Sequence, residues 1–313
     1  MPETLPSNSL SVIVPTYNRE KVLAKALEAY LAQSSPQLIH ELLVVDDGST
    51  DGTGSMVQEF SRRSPFPIRY LQQPNKGPAA ARNVGIREAR SNLVLFTDSD
   101  IIPECDLVEQ HIKWHKNNPQ ITAAVLGYVT WPPEIKATPF MRWYGEEGAL
   151  FDYRQLRGKR EADFRFFYTC NLSLKTDFLR TCGQFDEDFR SASWEDTELG
   201  YRLHKAGLRL LYNPQAVAFH HQFFTFDEAC RKALGNSSAR ELFFKKEAGQ
   251  YFLAQRKERM GGVGLRFARL VATGVATIMR PSTRLLDSEI PLPSSIYRSL
   301  YWYRVNRHWD RVQ

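Results

Sequence analysis

Short apolar runs alternate with segments of helical periodicity along the first hundred residues. Three mostly aliphatic runs predict buried strands at residues 11–14, 41–45 and 93–96, and residues 68–71 predict a further short strand. Apolar positions spaced three and four residues apart predict helices between them, at residues 20–33, 54–63 and 78–90. Strands that alternate with helices are typical of βαβ units. We therefore predict an α/β fold with a mostly parallel sheet flanked by helices.

Polar clusters follow three of these strands, at residues 15–18, 46–49 and 97–100. In open α/β sheets, ligands bind beyond the carboxyl ends of the parallel strands. We therefore expect the three clusters to meet at one edge of the sheet and to form a binding site there.

The rest of the chain predicts one further division. The segment up to residue 224 is rich in aromatic side chains and is less regular than the first hundred residues. Thr225 and Glu228 have the spacing of a capping box in front of a run of helical periodicity. We predict an α/β domain over residues 1–224 and a helical C-terminal extension over residues 225–313.

Two carboxylates and one imidazole are candidates for a metal site. Asp98 and Asp100 lie two residues apart directly after a predicted strand. Mg²⁺ binds through one or two such carboxylates while water and phosphate oxygens fill its other positions. His220 ends a strand-like run at 216–219 and is a candidate for a further ligand. Solvated Asp pairs and isolated histidines are also common without a metal, so both interpretations stay open on these residues alone.

Two further groups have the chemistry to contact a nucleotide. A strand-end aspartate such as Asp46 or Asp47 can accept a hydrogen bond from the imide N–H of a uracil-like base. A turn with a helix cap explains the Gly, Ser and Thr residues that follow, but it does not require the two aspartates. Lys76 and Arg82 flank the start of a helix of small residues, where they could neutralise phosphate charge. Tight packing of that helix against the sheet is the alternative.

Glu195 and Asp196 stand at the predicted start of an amphipathic helix. Acidic residues in a first helical turn complement the helix dipole, which is one interpretation of this pair. The other is a general base, a carboxylate placed to take a proton from an acceptor hydroxyl. The local pattern does not separate the two.

Positive charge is concentrated near the C-terminus. The net charge is +6, yet residues 225–313 hold sixteen Lys/Arg and eight Asp/Glu, whereas residues 1–224 hold twenty-five and twenty-seven. This asymmetry indicates either an anionic partner for the extension or a solvated helical face. Residues 264–279 suit a basic amphipathic helix at a membrane surface. Packing of this helix against the α/β domain or against a second subunit is equally consistent with the sequence. Nucleic-acid-binding motifs are absent from the sequence, so we expect no nucleic-acid partner.

Membrane-spanning and secretory signals are not visible in the sequence. No apolar run approaches the roughly 20 residues that a membrane span needs, and the first ten residues carry no basic segment. We therefore expect a cytoplasmic protein, and peripheral contact with the inner face of the cell membrane remains open.

As a set, the motifs resemble those of family 2 glycosyltransferases, which have the GT-A fold. The resemblance covers about residues 10–222 and runs in the family's order, through segments 12–19, 44–53, 75–83, 98–100, 183–187 and 194–196 and His220. Gln184 departs from the Gly that is common at its position, which affects no catalytic residue. The resemblance implies a Rossmann-like GT-A domain with a nucleotide-binding half at about 10–100 and an acceptor-binding half at 101–224.

The resemblance also implies roles for individual residues. Pro15 and Tyr17 would border the nucleotide base, Asp47 would accept from it, and Asp46 would support Asp47. Asp98 would contact the ribose. Asp100 and His220 would hold Mg²⁺ or Mn²⁺, Asp196 would be the catalytic base, and Glu195 its neighbour in acceptor binding. The implied reaction is a single inverting displacement that moves a sugar from a nucleotide-sugar donor, UDP-linked, to a glycan or lipid-linked acceptor.

Two other classes of protein remain open at this stage. Asp98-x-Asp100 after a strand also resembles the nucleophile and acid of haloacid-dehalogenase-type phosphotransferases. In those proteins the motif lies near the start of the domain, whereas two βα units precede it here. A sugar-nucleotide-binding or glycan-binding subunit without activity is the other class, although binding alone does not need a base such as Asp196.

Overall fold

The computed structural model describes residues 9–255 and 283–309. The chain divides into two compact units, one of Met1–Pro132 with Gly158–Gln222 and one of Pro133–Arg157 with Phe223–Gln313. The predicted division placed residues 133–157 in the first domain, whereas the structure groups them with the C-terminal part of the chain. The functions assigned to the predicted domains remain predictions.

The first unit is built on one nine-stranded sheet with the order β3-β2-β1-β4-β8-β6-β9-β5, and β7 pairs with β9. Its strands are β1 (Leu10–Thr16), β2 (Ile39–Asp46), β3 (Ile68–Gln72), β4 (Leu93–Thr97), β5 (Ile101–Pro103), β6 (Ala123–Thr130), β7 (Glu161–Ala162), β8 (Asn171–Lys175) and β9 (Arg209–His220). Strands β1 to β4 pair in parallel, as do β6 and β9. β5, β7 and β8 run antiparallel to their neighbours.

Helices of the first unit pack on this sheet. They are α1 (Glu20–Leu31), α2 (Thr53–Arg63), α3 (Pro78–Glu88), α4 (Leu107–Asn117), α6 (Thr176–Cys182) and α7 (Glu195–Lys205). α3 contacts β1 and β2, and α4 contacts β6 and β9. Aliphatic side chains of β1, β2 and β4 are fully buried between these layers, because a parallel sheet is covered on both faces.

The second unit is helical in the residues that the structure describes. It contains α5 (Pro139–Glu146), α8 (Phe226–Gly235), α9 (Ser237–Lys245), a helical stretch at 247–255, and helices at Thr283–Leu286 and Ser294–Trp309. Thr225 and Glu228 form the predicted capping box at the start of α8. The predicted helix at 264–279 lies outside the described residues. Within the described ranges, none of the helices is long and apolar enough to cross a bilayer.

Aromatic side chains form the core of the second unit. Phe140 contacts Phe226 and Tyr297 with ring centroids 5.3 and 5.8 Å apart. Trp143 and Tyr144 are 4% and 3% exposed. They are therefore core residues here, because buried aromatic rings contribute large apolar areas to packing.

Gly85→Ala is expected to destabilise the protein. A Cβ on Gly85 in α3 would lie 2.4 Å from Ile13 Cγ2 of β1, and overpacking of this kind typically costs about 1–3 kcal/mol. Gly235→Ala, at the end of α8, is the control, since a Cβ on Gly235 would have no neighbouring atom within 4 Å. Urea denaturation followed by circular dichroism measures both. Equal effects of the two substitutions would show that α3 does not need this close approach.

Candidate functional site

The loops that follow β1 and β2 are hydrogen-bonded to each other. The backbone N–H of Asn18 donates to Ser49 Oγ at 2.8 Å, and the N–H of Thr50 donates to Asn18 Oδ1 at 2.8 Å. Asn18 has a positive φ of 50°, a conformation that asparagine tolerates better than most residues. In register, Thr16 at the end of β1 pairs with Asp46 at the end of β2. These polar clusters therefore lie at one edge of the sheet.

Asp46 is fully buried at the end of β2. Its Oδ1 accepts from the backbone N–H of Ser49 at 2.8 Å, and its Oδ2 accepts from the hydroxyl of Tyr70. Burial and the Asp46 carboxylate raise the pKa of Tyr70 to about 12. Asp46 thus stabilises the turn after β2 through its hydrogen bond from the Ser49 backbone.

Asp47 holds the loop that leads into α3. Its Oδ1 accepts from Gln73 Nε2 and from the backbone N–H of Lys76, both at 2.7 Å, and its Oδ2 accepts from the N–H of Gly77 at 2.8 Å. Gly77 has a φ of +91°, and a Cβ there would lie 2.6 Å from the carbonyl oxygen of Arg190. Three donors therefore already occupy Asp47, and its predicted contact with a base stays a prediction.

Arg82 of α3 is buried between two carboxylates. Its Nη2 donates to Asp98 Oδ1 at 2.7 Å, and its Nη1 donates to Glu195 Oε1 at 2.8 Å. The Arg82 side chain is 3% exposed. The structure thus gives Arg82 two carboxylate partners, and its predicted contact with phosphate stays a prediction. A buried arginine needs such partners, but the sequence does not say which carboxylates supply them.

Glu195 and Asp196 open α7, and the preceding Trp194 has a left-handed backbone with φ 72°. Burial, followed by the charge of Asp196, raises the pKa of Glu195 to about 7. Burial also raises the pKa of Asp196. The thiol of Cys170 has a raised pKa for the same reason, strengthened by the charges of Asp98 and Asp196. Asp98 therefore shares one electrostatic environment with Glu195 and Asp196, although it lies far from them in the sequence.

Asp100 and His220 lie side by side, because β5 and β9 pair with Ile101 opposite His220. Asp100 Oδ2 is 3.6 Å from His220 Nε2 and also 3.6 Å from Arg19 Nη1. The ring of Trp131 stacks on the imidazole, with centroids 5.6 Å apart and planes 11° from parallel. Trp131 and Arg19 are neighbours of the pair to which the sequence analysis gave no role there.

A divalent cation fits this pair of donors. Two atoms that each lie about 2.1 Å from one ion are between about 3 and about 4.2 Å apart, from adjacent to opposite coordination positions. The separation of 3.6 Å between Asp100 Oδ2 and His220 Nε2 falls inside this range. Among residues 9–255 and 283–309, no three His, Cys, Asp or Glu side chains form a metal cluster. Water and phosphate oxygens would supply the remaining ligands, as Mg²⁺ prefers.

The remaining predicted site residues differ in exposure. Pro15 is buried within β1. Tyr17 is 48% exposed, which leaves its ring free to border a planar ligand. Lys76 is also exposed, and its carbonyl oxygen accepts from Arg190 Nη1 at 3.3 Å. Their contacts with a nucleotide remain predictions.

Glu195→Gln should change how stability depends on pH. An unfolded glutamate titrates near 4.5, whereas burial raises the pKa of folded Glu195 to about 7. The folded wild type therefore keeps a proton that the unfolded chain releases. As the pH rises from about 4.5 to about 7, the wild type should lose free energy of unfolding relative to Glu195→Gln, by at most about 1.4 kcal/mol per pH unit. Above about pH 7 the difference should level off.

Urea denaturation of both proteins from about pH 5 to about pH 8 measures this difference. Glu59→Gln, on an exposed face of α2, is the matched control. A difference between wild type and Glu195→Gln that stays constant over the whole range would contradict the raised pKa of Glu195.

Comparison with known proteins identifies relatives over most of the chain. Chondroitin synthase from Escherichia coli is 28% identical over 294 residues, which cover 85% of this chain and 42% of that protein. Validoxylamine A glucosyltransferase from Streptomyces hygroscopicus subsp. limoneus is 32% identical over 225 residues, 64% of this chain and 48% of that protein. The chain thus spans less than half the length of either relative.

Solved structures share the fold. A mannosyltransferase from Pyrobaculum calidifontis, in complex with GDP-Man and Mn²⁺, superposes with a TM-score of 0.59 at 21% identity and covers 99% of this chain and 89% of that chain. S. aureus TarS 1-349, in complex with UDP-GlcNAc, gives a TM-score of 0.56 at 16% identity over 97% of this chain and 92% of that chain. These neighbours confirm the predicted GT-A-type fold with a helical C-terminal segment.

The family model described as Glycosyl transferase family 2 matches residues 11–178. This match covers the polar clusters after β1, β2 and β4 and the loop that Asp47 holds. Because it spans more than half of the chain, the chain belongs to glycosyl transferase family 2, as its motifs suggested.

Proposed function

We propose that this chain transfers a sugar from a UDP-linked donor to a hydroxyl of a glycan or lipid-linked acceptor, with inversion of configuration and with the help of Mg²⁺ or Mn²⁺. The observation that carries the proposal is the pairing of Arg82 with Asp98 and Glu195. This pairing links Asp98, in the predicted nucleotide-binding half, to Glu195, which is adjacent to the predicted base Asp196. Family membership supports the reaction class.

The free acceptor capacity of Asp47 favours a uracil base. A carboxylate has about four lone-pair positions, and Gln73, Lys76 and Gly77 occupy three of them, two on Oδ1 and one on Oδ2. One position on Oδ2 is left. Uracil offers one imide N–H between two carbonyls, whereas guanine presents two neighbouring N–H donors. A single remaining acceptor position therefore suits uracil better than guanine.

Asp196 would take the proton of the acceptor hydroxyl. Its raised pKa makes its carboxylate a stronger base than an exposed aspartate. Glu195, held by Arg82, would orient the acceptor beside it. Asp100 and His220 would hold the cation, which neutralises the charge that develops on the departing diphosphate. One base is enough for a single displacement, because no covalent intermediate forms.

The acceptor and the role of residues 225–313 are proposed from a relative and from the distribution of charge. The name of the chondroitin synthase relative supports a glycan acceptor. The excess of Lys and Arg in the extension supports peripheral contact with an anionic membrane surface, as would suit a cytoplasmic enzyme with a lipid-linked acceptor.

Asp196→Asn and Asp100→Ala should separate turnover from donor binding. Asp196→Asn removes the base and should lower kcat by about 10²–10⁴-fold while the Kd for UDP with Mn²⁺ stays unchanged. Asp100→Ala removes a cation ligand and should weaken metal-dependent UDP binding by at least about 10-fold. Transfer assays and isothermal titration with UDP and Mn²⁺ measure the two quantities.

Asp177→Asn, an exposed residue in the first turn of α6, is the control for both variants. Wild-type turnover in Asp196→Asn would refute the assignment of the base. If the wild type neither transferred sugar nor hydrolysed any donor with Mn²⁺, the result would favour a binding subunit without activity.

UDP should stabilise the protein more than GDP in a thermal-shift measurement with Mn²⁺. Gln73→Ala frees an acceptor position on Asp47 Oδ1, so this variant should narrow the difference between the two nucleotides. Gln72→Ala is the matched control, because the Gln72 amide donates to Tyr70 rather than to Asp47. A larger shift with GDP than with UDP in the wild type would contradict the uracil preference.

A further inference from the structure

The register of the pairing between β9 and β6 shifts partway along the two strands. Gly127 lies opposite Asn213, but the next residue, Tyr128, lies opposite Val217, so β9 contains three extra residues at 214–216. Side chains alternate between the two faces of a sheet, and an odd number of extra residues reverses the alternation for all residues that follow. The face to which His220 points is therefore set by this bulge.

The side chain of Asn171 in β8 fills the bulge. It is 1% exposed, and its Nδ2 donates to the carbonyl oxygens of Ala216 at 2.9 Å and Tyr128 at 3.2 Å. A Cβ on Gly127 would lie 2.3 Å from Asn171 Nδ2 and 2.5 Å from the Ala216 oxygen. Glycine thus leaves the room that the amide needs. The amide supplies N–H groups to two carbonyls at the point where the register shifts.

A chain of buried hydrogen bonds orients this amide. Because Asn171 Nδ2 donates to carbonyls, its Oδ1 is an acceptor, and His111 Nε2, at 2.9 Å, must donate to it. His111 Nδ1 then accepts from Ser173 Oγ at 2.7 Å. Ser173 Oγ in turn accepts from His115 Nε2 at 2.9 Å, and His115 Nδ1 accepts from Lys175 Nζ at 3.1 Å. Every proton in the chain has one consistent position.

Both histidines are neutral in this arrangement. Burial lowers the pKa of His111 to about 4, and burial followed by the charge of Lys175 lowers the pKa of His115. A neutral imidazole has one donor and one acceptor nitrogen, as the chain of hydrogen bonds requires. The two rings come from one face of α4. Their hydrogen bonds to Asn171 and Ser173 hold β8, and the Asn171 side chain in turn contacts the bulge of β9.

We propose that Asn171 is a positioning residue for His220, acting through the β9 bulge, with its amide orientation fixed by His111, Ser173 and His115. The inference rests on the proposed function, in which His220 is a cation ligand with Asp100. Asn171 itself contacts neither the cation nor the substrate. It secures the strand register that directs the imidazole toward Asp100.

Asn171→Asp tests the inference with almost no change in shape. A carboxylate in place of the amide would face the Ala216 and Tyr128 carbonyls without a proton to donate. The bulge should therefore lose both hydrogen bonds from this side chain. In the presence of UDP, Mn²⁺ affinity should fall by about 10–100-fold, as for losses of outer-shell partners. Electron spin echo spectroscopy of bound Mn²⁺ should show imidazole nitrogen coupling in the wild type and lose it in the variant.

Two further variants make the test independent of the folding of Asn171→Asp. Ser173→Ala removes the donor to His111 and should give a smaller loss of affinity and coupling, and Asn118→Asp, at the end of α4, is the matched control that should change neither. If Asn171→Asp does not fold, the Mn²⁺ affinity and imidazole coupling of Ser173→Ala test the inference instead. Wild-type affinity and coupling in the folded variants would overturn the inference. Absence of imidazole coupling in the wild type would instead refute the metal site of the proposed function, and the inference with it.

Discussion

The buried guanidinium of Arg82 is the contact on which the candidate site depends. Its two terminal nitrogens each donate to a carboxylate, Asp98 after β4 and Glu195 at the start of α7. A charge this buried costs several kcal/mol unless it is paired. The planar fork of arginine reaches two anions at once, which the single ammonium of lysine cannot do in the same geometry. One side chain of α3 thus fixes the start of α7 against the end of β4.

The charge balance around Arg82 explains the acid–base properties of the site. One cation faces three carboxylates, those of Asp98, Glu195 and Asp196. The side chains of Arg82 and Glu195 are buried, whereas that of Asp98 is 36% exposed. The uncompensated negative charge and the burial both favour protonation, so the pKa of Glu195 rises to about 7 and that of Asp196 also rises. Arg82 limits this rise. The site can therefore hold a proton near neutral pH and release it.

The sequence predicted the strands that lead to this site better than the contacts within it. Aliphatic runs predicted β1, β2 and β4 correctly because each is buried on both faces, and β3 was also predicted although it is only partly buried. β6 was missed because its residues lack alternation. β8 was missed although its residues alternate, because it is short and pairs with strands distant in the chain. Asn213, Pro214 and Gln215 interrupt the apolar pattern in the first half of β9, which was therefore not predicted. The motifs located Asp47 but not its three donors, because Gln73, Lys76 and Gly77 meet it only through the tertiary fold.

Stability alone does not require the ion pairs of Arg82. Well-packed apolar side chains of similar volume are often as stabilising as a buried ion pair, or more so, and α3 already packs on β1 and β2 through small residues. An apolar replacement of Arg82 and Glu195 together would be compatible with this fold. It would, however, remove the charge that limits the pKa of Asp196 and the contact that places Asp98 beside it. The proposed proton transfer at Asp196 therefore explains the ion pairs better than folding does.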